Sequence, residues 1–378
     1  MNGILAYGAY LPYYRLERKT IGEALGSGGG KGTRVVASYD EDTTSMGVEA
    51  ARAALRGTPK ASPAAVYFAT TDPAYLDKTN ATAIHAALAL DESAMAYDML
   101  GSIRSAAGAL RAAMDAGRPT LAVQSDIRTG LPGGADEREG GDAAAAFLLG
   151  PGDADTPVLA EPVAAASVTA EFLERWRMPG DSSSRQWEER FGEHAYVPLA
   201  ETAIASALKQ AGVTAGGALA HVLVAGPHGR ANKRAAAMVG AKPEALGDDL
   251  TGTVGNTGAA HAGLLLADAL DRAKADDLVM LVSLADGCDV TVWRATAGLP
   301  RHRQRVPVGG QLKTGGKVSY ATFLTWRGFL KREPPRRPDP QAPAAPPAFR
   351  AGAWKFGFTG SRCPGRGARH LPPTPGGS

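Results

Sequence analysis

Apolar residues recur at three- and four-residue spacing in six stretches, which predicts helices over 43–55, 81–88, 105–116, 199–211, 233–239 and 259–273. Short, nearly continuous apolar runs fall at 65–70, 120–124, 144–149, 221–225, 278–284 and 289–294. Such runs are the pattern of strands covered on both faces. Helices and strands alternate, so the predicted class is α/β. The pattern also repeats coarsely. A helix ending EAARAALRG leads to the strand AVYFAT and then to TLAVQSD, and AETAIASALKQAG leads in the same order to HVLVAG and LVMLVSLAD. The offset is about 155 residues each time, which predicts two similar βα halves packed together.

Near residue 300 the pattern stops. A basic loop, 301–305, and the Pro-rich run EPPRRPDPQAPAAPP follow, and the latter reads as an extended strap or linker. The predicted parts are an N-terminal half over 1–165, a C-terminal half over 166–300 and an extension over 301–378. With 378 residues, a 44% hydrophobic and 21% charged composition and a net charge of +3, the chain has a globular balance. That balance gives no reason to expect a nucleic-acid partner. No apolar run approaches the ~20 residues of a membrane span, and the opening MNGILAYGAYLP lacks a basic-then-apolar leader. A cytoplasmic protein is expected. The ending PPTPGGS predicts a further piece, supplied by another chain or lost.

Five motifs offer chemistry. The run Ser38-Tyr39-Asp40-Glu41-Asp42-Thr43-Thr44 reads first as a helix cap with Thr43 or Thr44 at its head, the carboxylates complementing the helix dipole. The turn Gly255-Asn256-Thr257-Gly258 is either a capping turn or a polar site between the halves. The loop Gly226-Pro227-His228-Gly229 follows a strand, where open α/β sheets place ligands, so His228 is a general base or a plain loop histidine. His261 reads as a satisfied buried histidine. The corner Tyr97–Ser105 is of the strand-to-helix kind that displays nucleophiles, and Ser102 and Ser105 put hydroxyls there, either as caps or as reactive groups. The last, around Cys363, has Arg366 where a zinc knuckle needs its second cysteine, so no metal is expected.

Together these stretches resemble the thiolase superfamily, specifically the hydroxymethylglutaryl-CoA synthase type, with ketoacyl synthase III as a cousin. The likeness runs through ILAYGAYLPYYRL, SYDEDTTSMGVEAARAAL, EGGDAAAAFLLG, FGEHAYVPLAETA, AGPHGRANKRAA and VGNTGAAHAGLLLADAL, over roughly residues 3–296. It implies a duplicated five-layer αβαβα fold, a homodimer and an acyl-CoA substrate, with no cofactor beyond the coenzyme A thioester itself. The tail looks like the start of the zinc-ribbon and OB-fold partner of such enzymes, so a second thiolase-fold or zinc-ribbon subunit is a further expected partner.

At the catalytic positions the resemblance breaks. The acyl-carrying cysteine falls on Ile103, the acid–base glutamate on Thr71 and, in a gapless register, the histidine on Ala225. A one-residue insertion makes the histidine His228 instead. Asn256 carries over cleanly. An isoleucine cannot form a thioester. The leading expectation is therefore aldol- or Claisen-type chemistry on an acyl-CoA without a covalent intermediate, with Asn256 donating to the thioester oxygen and His228 moving the proton. Tyr75, Tyr97 and His261 are further acid–base candidates. A scaffold or regulatory subunit of a condensing complex is the alternative, and an ordinary synthase that uses Ser102 or Cys288 as nucleophile is the third.

Overall fold

The computed structural model describes residues 2–56, 58, 61–214, 216–301, 303–334, 336–338 and 344–374. Nine strands form the main sheet: β1 (Asn2–Tyr10), β2 (Ala65–Thr70), β3 (Met95–Leu100), β4 (Thr120–Ile127), β5 (Asp142–Pro151), β6 (Ala160–Thr169), β7 (Leu219–Ala225), β8 (Leu278–Leu284) and β9 (Gly287–Ala295). Their spatial order is β7-β8-β9-β6-β1-β5-β4-β2-β3. From either end, two parallel neighbours (β2 with β4, β7 with β8) give way to antiparallel ones. The first half adds an outermost parallel strand, β3. In the second half the corresponding place holds only an isolated bridge from Val222 to Leu246. The halves are thus the same unit used twice, meeting within the main sheet where β1 pairs with β6 at Ile4 and Ala160, and outside it at the Gly140–Asn256 bridge.

The helices complete five layers. α1 (Thr43–Leu55) covers the outer face of β1, β5 and β4 and also touches α2 (Ala81–Ala87). α4 (Glu189–Ala211) covers β6, β9 and β8, with α5 (Gly229–Met238) beside it on β7. Between the halves run α3 (Ser105–Asp115), on β4 and β2, and α6 (His261–Arg272), which touches β5 and β1 on one side and β7 and β8 on the other. The middle layer explains the composition of α6: Leu264, Leu265, Leu266 and Leu270 are buried all round, because both faces meet a sheet.

The cap of α1 is Asp42, not Thr43 or Thr44. Its carboxylate accepts from Ser45 N at 2.6 Å, and Ser45 Oγ accepts from Asp42 N at 2.8 Å, a reciprocal capping box. α4 begins ten residues before the expected start at 199, because its first turns precede Pro198, a residue that reads as a helix start. Residues 303–330 lie against the body. Gln304 and Gln311 bond β1 at Ala9 and the adjoining Leu11, and Gly316–Lys317 adds a strand to a small sheet with Tyr14–Glu17 and Thr33–Val36. Beyond them α7 (Tyr320–Trp326) closes over buried Arg34. The Pro-rich run and the basic loop are described only in part, residues 335, 339–343 and 302 lying outside the described set, as does the end of PPTPGGS at 375–378.

Candidate active site

The strand-to-helix corner between β3 and α3 is a sharp one. Gly101 takes φ +104, a backbone that glycine adopts without strain, and Ser102 and Ile103 then face a cavity of about 320 Å³. Thr71 and Asp72, at the end of β2, line its opposite side, and Arg128, Arg175, Arg177, Tyr196 and Asp286 complete the wall. Ile103 also shares a much smaller space, about 10 Å³, with Ala225 and Gly226. The three positions that the resemblance made catalytic therefore converge, but without the side chains that would react. The space between Ile103 and Ala225 has room for no more than about one water molecule.

Thr71 is committed elsewhere. Its hydroxyl donates to Asp126 at 2.8 Å and its backbone N–H to the same carboxylate at 3.0 Å. Asp126 is fully buried at the end of β4. It also accepts from Thr70 Oγ1 at 3.2 Å and from the Ala259 backbone at 2.9 Å, so one carboxylate ties the β2 corner to the turn before α6. Gly258, at φ +55, is required there because a Cβ would stand 2.0 Å from that carboxylate. Asp72 stays at the cavity rim, 3.6 Å from Arg177. Partial burial and then the Asp126 charge push its pKa upward, against the pull of Arg177.

Asn256 donates its amide to Gly226 O at 2.8 Å and accepts from Gly258 N at 2.9 Å, so it holds two loops together beside Arg128 and Pro227. His228 caps α5, its Nδ1 accepting from Ala231 N at 3.1 Å, and is buried beneath Tyr196, whose ring lies 6.3 Å away. It is absent from the walls of both cavities described above. The structure therefore joins Asn256 to the Ala225 loop but leaves His228 in the interior.

The remaining candidates scatter. Tyr75 is exposed under Lys78, Tyr97 is exposed on β3 against Tyr67, and Ser105 donates to Leu100 O at 3.2 Å. Cys288 is fully buried in β9, where burial and then Asp289 push its thiol up to about 12, so it is neither ionised nor on the cavity wall. Cys363 and Arg366 sit in a small hairpin turn, and among the described residues no three His, Cys, Asp or Glu side chains are grouped to hold a metal.

His261 is buried and accepts from Thr257 N at 3.3 Å, and desolvation lowers its pKa from 6.5 to about 4. A histidine kept neutral by the fold stabilises it above about pH 6.5 and loses that contribution as pH falls toward about 4. The loss is on the order of 3 kcal/mol. Urea unfolding at neutral and acid pH is expected to show a smaller acid loss for His261→Gln than for the parent; equal losses would refute this.

Sequence comparison settles the family. The chain is 31% identical over 346 residues to the hydroxymethylglutaryl-CoA synthase of Aeropyrum pernix, covering 87% of this chain and 94% of that one. It belongs to the hydroxymethylglutaryl-CoA synthase family. The synthase of Thermoplasma acidophilum is similar at 29% identity over 348 residues, covering 86% and 97% of the two chains. No family model matches the chain. Among solved structures, MvaS in complex with 3-hydroxy-3-methylglutaryl coenzyme A superimposes with a TM-score of 0.73 at 19% identity, covering 91% of this chain and 94% of that one. Ketoacyl synthase III of Thermus thermophilus gives 0.65 at 22%, covering 78% and 98%. These confirm the thiolase-like fold of this family member.

Asp126, Asp286, Tyr196 and the three cavity arginines escaped the sequence reading. They come from loops, strand ends and, for Tyr196, the middle of α4, and only the Asp286-Gly287 dipeptide between two strand-like runs carried a local signal, that of a tight turn.

Proposed function

We propose that this protein binds an acyl-CoA thioester and makes or breaks a carbon–carbon bond on it by aldol- or Claisen-type chemistry, without the usual cysteine. The observation that carries this reading is Ile103, on the wall of a substrate-sized cavity in a chain related along most of its length to named hydroxymethylglutaryl-CoA synthases. The acyl group occupies the roughly 320 Å³ cavity and not the space between Ile103 and Ala225. Asp72, next to the Thr71 position on the cavity wall, is the carboxylate placed to exchange a proton with the substrate, and its upward pKa shift suits that role. Asn256 and His228 serve as positioning residues: the first ties the Gly226 loop to the α6 turn, and the second caps α5 just behind it. Arg128, Arg175 and Arg177 supply cationic donors for the developing oxyanion or for an acidic acyl group. A homodimer is part of this proposal, since β3 ends the sheet with Tyr97 exposed and offers an edge to a second copy.

A second reading, a scaffold for an active condensing enzyme, is favoured by the closed space at Ile103 and Ala225 and by the commitment of Thr71 to Asp126. Carbon-13 NMR of labelled acetyl-CoA with acetoacetyl-CoA separates the two. A new carbon–carbon bond formed at a rate proportional to this protein supports the enzyme. No product, together with a condensing enzyme that co-purifies, supports the scaffold.

A further inference from the structure

Two cavities, of about 320 and 560 Å³, meet at Ser102. Its hydroxyl donates to Asp286 Oδ2 at 3.1 Å and accepts from Arg104 N at 3.0 Å. Ser102 comes from the first half of the fold and Asp286 from the β8–β9 turn of the second, so the pair spans the seam. Asp286 is a non-glycine residue at φ +49, an uncommon backbone that persists only where its surroundings impose it. The surroundings here are explicit. Arg104 Nη1 donates to Asp286 O at 2.8 Å while its Nε bonds Asp289 at 2.9 Å, and the Tyr196 hydroxyl hydrogen-bonds the Asp286 backbone. The next residue is Gly287 at φ +144, where a Cβ would stand 2.4 Å from Val168 O. The turn is thus fixed by both halves with its carboxylate at the one hydroxyl common to the two cavities.

We infer that Ser102 is the acyl acceptor of this protein, with Asp286 as the base that takes its proton. The inference rests on the thioester reading above and deepens it. The Ser102 oxygen attacks the thioester carbonyl carbon as its proton passes to the Asp286 carboxylate. The carbon–sulfur bond then breaks, the departing thiolate takes the proton from Asp286, and an acyl ester on Ser102, free CoA thiol and the Asp286 carboxylate remain. The acceptor stands one residue before Ile103, on the same corner, and an oxygen ester takes the place of a thioester.

The test is intact-protein and peptide mass spectrometry after incubation with acetyl-CoA and with acetoacetyl-CoA. One acyl group on Ser102 is expected, absent in Ser102→Ala. Asp286→Asn is expected to slow acylation on the order of a hundredfold or more, and Asp286→Glu, which restores a carboxylate, to recover part of that loss, which a structural role would not show. Asp286→Gly guards against misfolding: glycine suits φ +49, so this variant is expected to keep the turn while still losing acylation. Acylation that persists in Ser102→Ala, or maps to another residue, overturns the inference. So does a parent protein that binds the thioester in calorimetry and takes no acyl group, although the thioester reading then stands. A protein that binds no thioester overturns both.

Discussion

Asp142→Ala is expected to lower the unfolding free energy by about 3–5 kcal/mol, because it leaves buried cations without their counter-charge. Asp142 has no solvent exposure. It pairs with Arg34 at 3.3 Å, also fully buried, and with Arg327 from the C-terminal segment, and it accepts from Ala37 N at 2.7 Å and Arg128 N at 3.0 Å. Arg34 already has its pKa lowered to about 10 by burial, with Asp142 the main opposing influence. Both guanidiniums lie over the ring of Phe323, at 5.0 and 5.3 Å, so the same carboxylate anchors α7 to the body. Urea denaturation reads the effect, and protease cleavage near residues 313–330 should appear in the variant at native temperatures. A change below about 1 kcal/mol would mean that solvent reaches Arg34 and that α7 is held by Phe323 and Tyr320 alone.

Asp126→Ala should be comparably severe and also functional. Four donors, on Thr70, Thr71 and Ala259, converge on this buried carboxylate, and Arg128 stands 3.8 Å from it. Unsatisfied buried donors cost about 1–3 kcal/mol each before relaxation, so a total loss on the order of 3–5 kcal/mol is expected. The β2 corner and the α6 turn would then move independently, and with them Thr71, Asp72 and Arg128 on the cavity wall. Urea unfolding measures the first consequence, and a loss of at least tenfold in thioester affinity the second. Retained affinity in a destabilised variant would show that the cavity is held without the Asp126 clamp.

The sequence was most legible where period and burial agree. β2, β8 and α1 fall where the apolar pattern predicts them, since each is a buried run or an amphipathic face with a clear cap. β1 and β6 are central strands that the pattern did not announce. NGILAYGAY and AEPVAAASVT are rich in Ala, Gly and Pro, residues of low strand propensity, and their strand form is imposed by neighbours on both sides. The convergence of positions 71, 103 and 225 was legible only through family resemblance. Ser102 was legible as a hydroxyl at the corner, but Asp72, Asp286 and the arginines that line the same cavity were not, because they are brought together by segments whose course no local pattern encodes.

The most direct measurement of the central claim is calorimetric titration of the protein with acetyl-CoA, acetoacetyl-CoA and a longer acyl-CoA. Saturable binding of at least one, weakened by Asp126→Ala, is the result that a thioester cavity between the two halves predicts. Heats no larger than dilution for all three would contradict it.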